Sequence, residues 1–172
     1  MRTQHSASLT RSINSALVAA AAFAMTATNT LAGSTATQTV TFEVQAINEI
    51  SVSGNPGAMT INTATAGSAP TSVSDSSTTY AITTNESNRK ITAAIDLAMP
   101  SGVTLTANLT APTGATSAGA VTLGTVAADV VTGITTLNES AKTITYNLSA
   151  TAAAGTVAST SRTVTYTVTA GV

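Results

Sequence analysis

Seven side chains in this 172-residue sequence could act as acids, bases or hard-cation ligands: Glu43, Glu49, Asp75, Glu86, Asp96, Asp129 and Glu139. Two carboxylates flanking a sugar bond can hydrolyse it, and several on one loop can hold calcium. Neither arrangement is visible. The seven are scattered over outward strand positions and turns, and no Asp-x-Asp-x-Asp-Gly loop occurs. There is no cysteine, and the single histidine is His5, near the N-terminus. A Ser-His-Asp or Cys-His device needs an imidazole, and zinc sites favour imidazole and thiolate. No glycine-rich phosphate loop follows a strand and opens a helix. Phe42, Tyr80, Tyr146 and Tyr166 could stack on carbohydrate, but each keeps the phase of its strand's aliphatic residues, so core packing is expected. Lys90 and Lys142 could be weighed for a Lys–Asn isopeptide staple, but both stand at strand starts after turns. Sequons at Asn85, Asn108, Asn138 and Asn147 are expected by chance in so Thr- and Ser-rich a chain. The sequence is therefore read as non-enzymatic, with no catalytic, cofactor-binding or metal-binding residue.

The elements that would position these residues are strands. Alternation of apolar and polar residues puts successive side chains on opposite sheet faces. Thr39–Ala46 reads T-V-T-F-E-V-Q-A, with Val40, Phe42, Val44 and Ala46 on one face. Ile50 and Val52 follow, stopped by Gly54-Asn55-Pro56-Gly57, a turn signal. Met59 and Ile61 are expected in the next strand, and 63–76 in a loop. Tyr80–Thr84 and Ile91–Leu97 predict a hairpin about a turn at Asn85–Asn88. Val103–Leu109, Val121–Leu123, Val130–Ile134, Lys142–Ala150 and Thr163–Ala170 predict further strands, with turns at Met99–Gly102 and Asn138–Ser140 and loops at 111–119 and 151–161. About nine short strands separated by turn signals predict an all-β fold, an immunoglobulin-like β-sandwich of eight or nine strands.

The N-terminus is read as an export signal. Arg2, His5 and Arg11 precede an apolar run, Ala16–Met25, and then Thr30-Leu31-Ala32 before Gly33. A basic start, a short apolar core and small residues at the cut form the secretory pattern. The run is well short of the roughly 20 residues a bilayer demands. Residues 1–32 are thus expected to be cleaved between Ala32 and Gly33, leaving a flexible leader at 33–38 and one domain at 39–172. Past Gly33 the chain holds four basic and seven acidic side chains, a net charge of −3. That is no footprint for nucleic acid or anionic lipid. The C-terminal residues show no apolar tail or sorting motif, so no direct membrane anchor is expected after cleavage. Charged residues make up 8% of the sequence, and a surface so poor in charge offers little repulsion against self-association.

The signal, the cysteine-free Thr-rich strands and the terminal strands T-V-T-F-E-V and R-T-V-T-Y-T-V-T-A resemble secreted prokaryotic β-sandwich surface proteins, including donor-strand, pilus-like fibre subunits. The likeness covers residues 34–170 in style. Chaperone–usher pilins commonly carry a cysteine pair and Trp-x-Leu wall-binding domains a tryptophan, and both are absent here. The resemblance implies a secreted or cell-surface structural subunit whose partner is a copy of itself, and it assigns no residue a role. The expected function is a surface, matrix or fibre subunit that associates through strand edges, with exchange of residues 39–46 as one mode. An ordinary first strand in the protomer's own sheet is the other fate of 39–46. An extracellular ligand- or carbohydrate-binding module is the alternative function.

Overall fold

The computed structural model describes residues 34–171. The expected cleavage residues Ala32 and Gly33 lie outside that range. The chain divides after Phe42, and the part up to Phe42 is described separately from Glu43 onward.

From Glu43 on the protein is all-β with two antiparallel sheets, a sandwich-like arrangement. Nine strands follow in order: β1 (Asn48–Val52), β2 (Val73–Thr84), β3 (Arg89–Ile95), β4 (Val103–Leu109), β5 (Thr116–Ser117), β6 (Val121–Thr122), β7 (Ala128–Ile134), β8 (Leu137–Ala150) and β9 (Val164–Ala170). One sheet has the order β1-β2-β8-β4-β6 and the other β5-β7-β3-β9. The inward phase of the alternating strands builds one core: Tyr80 and Ile82 from β2, Ile91, Ala93 and Ile95 from β3, Leu105, Ala107 and Leu109 from β4, and Ile144 and Tyr146 from β8. The non-alternating β7 adds Val130, Val131 and Ile134. Threonine supplies much of the outward phase, where its branched side chain suits a pleated surface.

Several expectations change: β2 begins at Val73, inside the loop expected at 63–76, and β5 lies inside the loop expected at 111–119. Residues 39–46 form no strand. Met59 and Ile61 also lie outside any strand. Met59 packs on the core from the connecting segment instead. Asn138–Ser140 is not a turn but the start of β8, which pairs with β2 through an irregularity opposite Tyr80–Ile82. The backbone bends there at Ala141, whose φ is 57°.

The expected turn at Met99–Gly102 is present, and Gly102 is required in it. Its φ is +75°, and a Cβ there would meet Thr151 Oγ1 at 2.8 Å and Ala154 at 3.0 Å. Gly102→Ala is expected to lower unfolding free energy by about 1–3 kcal/mol, read from urea denaturation. A variant as stable as the parent would contradict this packing.

Candidate edge and groove

The carboxylates come first, since they could carry chemistry. Asp75 accepts from the Ser77 amide at 3.0 Å and its hydroxyl at 2.7 Å, and from the Gly57 amide at 3.3 Å. The Ser77 bonds hold its carboxyl below the usual range. Glu86 is lowered by hydrogen bonds from Asn48 and Arg89. Glu139 is lowered to about 2, first by its bond with Lys142 and then by the Thr113 amide. Asp129 pairs with Lys90 at 3.0 Å, and Asp96 accepts from the amides of Leu97 and Thr163. Each of these five is engaged in closing a turn or tying neighbouring segments. Among the described residues no three His, Cys, Asp or Glu side chains cluster as metal ligands. Both lysines pair with acids, Lys90 with Asp129 and Lys142 with Glu139.

Tyr80 and Tyr146 are buried and Tyr166 is half-buried. Tyr80 donates to the Thr110 carbonyl at 2.7 Å, and the Tyr146 and Tyr166 hydroxyls bond each other at 2.8 Å. Burial raises the pKa of all three above its ordinary value. A raised pKa means that above about pH 10 the unfolded chain loses protons the folded chain keeps. Stability from these groups is therefore full below pH 10 and declines as pH rises past it. These are the only tyrosines in the sequence, so tyrosinate absorbance should appear in one step together with loss of the β-sheet circular dichroism signal. Titration near pH 10 with the fold intact would contradict it.

Three features stand apart from these contacts: a segment without regular structure, the β9 edge and a cavity. Residues 35–47 have no regular secondary structure. Val40 is 73% exposed and Phe42 87%. In the following part Val44 is 78% exposed, and Ala46 is exposed too. All four residues expected on one apolar face are thus exposed. Asn85, in the β2–β3 turn, fixes where this segment joins the sandwich. Its side-chain amide donates to the Gln45 carbonyl at 2.7 Å, and its Oδ1 accepts from the Ile47 amide at 2.8 Å.

β9 is the last strand of its sheet and pairs with β3 alone. Edge strands present a row of unpaired backbone groups, and β9 has neither proline nor lysine to blunt it. Beside its first half lies a cavity of 520 Å³, walled by Val164 and Tyr166 of β9, by Met59 and Met99 from connecting segments, and by Leu105 and Leu148. Thr78 also lines it. That residue is 4% exposed, and its Oγ1 has no hydrogen-bond partner. The cavity exists because β1 ends at Val52 and the chain leaves β2, whose register with β8 is irregular between Asp75 and Thr78. Sequence reasoning found segment 39–46 but missed the cavity, since its walls come from five separate stretches of chain.

Among the described residues no helix is long and apolar enough to cross a membrane. Compared with protein-family models, curated proteins and solved structures, the chain matches none.

Proposed function

We propose that this protein is an exported, non-enzymatic structural subunit of a cell surface, matrix or fibre, an immunoglobulin-like sandwich that associates with copies of itself through strand edges, with residues 39–46 as the exchanged strand. The observation that carries this is an alternating strand sequence lying unpaired with Val40, Phe42 and Val44 in solvent, in a chain whose β9 is an edge strand pairing with β3 alone. Burying a large aliphatic or aromatic side chain contributes about 1.5–3 kcal/mol. Three such residues on one short segment offer a sizeable driving force for association, and backbone bonds to an edge supply the geometry of strand addition. Export rests on the basic, apolar and small-residue succession of residues 1–32.

The test replaces residues 39–46 of the full chain by a Gly/Ser segment of equal length and compares the two proteins by light scattering and electron microscopy. The parent is expected to form multimers and the variant monomers. Monomers from both would sink the reading. The 520 Å³ cavity also favours a second reading, a ligand-binding module, since small-molecule sites span about 300–1,000 Å³. Saturable binding on a glycan array by the monomeric variant would support that one.

A further inference from the structure

We infer that the cavity beside β9 is the acceptor for residues 39–46 of a second copy of this chain, which enter antiparallel to β9 and join subunits head to tail in an open filament. This rests on the self-association proposed above and adds the acceptor, the direction and the symmetry.

The sandwich has two distinguishable ends. At one, Asn48 pairs with Thr84 and Arg89 with Ala170, around the β2–β3 turn. At the other, Ile95 pairs with Val164, Val73 with Leu148 and Val103 with Ala150. Asn85 holds Gln45 and Ile47 at the first end. Val52, Met59, Met99, Leu148 and Val164, which line the cavity, belong to the second. The segment that needs a partner is thus attached at the end opposite the groove. Its own β1 already occupies the β2 edge between them. A copy stacked end to end presents the segment directly. Donor and acceptor are different surfaces, so the contact is heterologous and repeats without closing on itself.

Direction follows from the same pairings. A segment entering at the groove end leads with Thr39 and leaves Ala46 nearest its own subunit. β9 runs from Val164 at the groove end to Ala170 at the turn end. The incoming strand therefore lies antiparallel to it and extends the order β5-β7-β3-β9 by one. Its Val40, Phe42 and Val44 then share a face with Val164 and Tyr166, giving aromatic and β-branched cross-strand pairs. Thr39, Thr41, Glu43 and Gln45 stay outward, as Thr165 and Thr167 do on β9. The buried, unpartnered Oγ1 of Thr78 points to an occupant able to hydrogen-bond, such as a peptide backbone.

The sequence has no cysteine, so paired cysteines report the contact cleanly. Full chains carrying Phe42→Cys with Val164→Cys, Phe42→Cys with Met59→Cys, or Phe42→Cys with Val126→Cys as control are treated with a short bismaleimide and run on denaturing gels. The first two should give a ladder of covalent multimers. The control, whose Val126 is exposed beside β6 and β7, should not. Multimers by light scattering with no ladder from either wall would overturn the acceptor and leave self-association standing. Absence of multimers would overturn both. A product that stays at monomer size would show the segment folding into its own groove and overturn the filament. A synthetic Thr39–Ala46 peptide guards against misfolded variants. It should bind the full chain bearing the Gly/Ser replacement at least tenfold more tightly than the same peptide with Phe42→Asp and Val44→Asp, and equal binding would contradict the proposal.

Discussion

Phe42→Asp combined with Val44→Asp is expected to abolish multimers while leaving the melting temperature of the monomer unchanged. The second half of that expectation is as specific as the first. Substitutions at exposed positions usually change stability by no more than about 0.5 kcal/mol, and Phe42 and Val44 are 87% and 78% exposed. They support no packing in the isolated chain. In an assembled pair the same side chains would be enclosed by a neighbour's apolar surface. Burying an unpaired carboxylate there costs several kcal/mol, more than association through a short strand can offset. Light scattering gives the first quantity and thermal circular dichroism the second. A large fall in melting temperature would show that the segment belongs to its own fold, whereas unchanged multimers would show that it takes no part in assembly.

Ile91→Ala should do the reverse, lowering unfolding free energy by about 2–5 kcal/mol through lost transfer energy and a residual cavity. Ile91 is fully buried. It sits opposite Val131 of β7 on one side and Val168 of β9 on the other, so no surface loop can collapse into the space. A domain of this kind has about 5–15 kcal/mol in total, and the loss is a large fraction of it. Val126→Ala, at a site 82% exposed, serves as the contrast and should stay within about 0.5 kcal/mol of the parent. Urea unfolding of the three proteins measures both. Ile91→Ala matching Val126→Ala would mean that β3 is not the centre of its sheet.

These two substitutions also mark what could be read from sequence. β3, β4 and β9 were legible because each alternates without interruption and each packs one face on the core. The β2–β3 turn was legible from its run of Asn and Ser. β8 was legible from Lys142 to Ala150 but not in its first residues, because Asn138-Glu139-Ser140 has turn chemistry that the structure absorbs as a bulge, with Ala141 at φ 57°. β7 was expected at Val130–Ile134 and is there, although its adjacent Val130 and Val131, both buried, break the period of two. β6, Val121–Thr122, answers to the short strand expected at Val121–Leu123, whereas β5, two residues inside the expected loop at 111–119, is too short for any period to register. Thr39–Ala46 is the most instructive case. Its alternation is as clean as that of β9, yet it forms no strand. A period of two says that one face is to be buried, and it is silent about which chain will do the burying. The cavity was illegible for the opposite reason, since no local pattern encodes a wall assembled from distant segments.

In the proposed assembly residues 39–46 become a strand in a neighbour's sheet. Hydrogen exchange resolved to those amides, in the multimer and in the monomer, tests it most directly. Open exchange is expected in the monomer and strong protection from Thr39 to Ala46 in the multimer, together with new protection along β9. Multimers whose 39–46 amides exchange as freely as those of the monomer would contradict it.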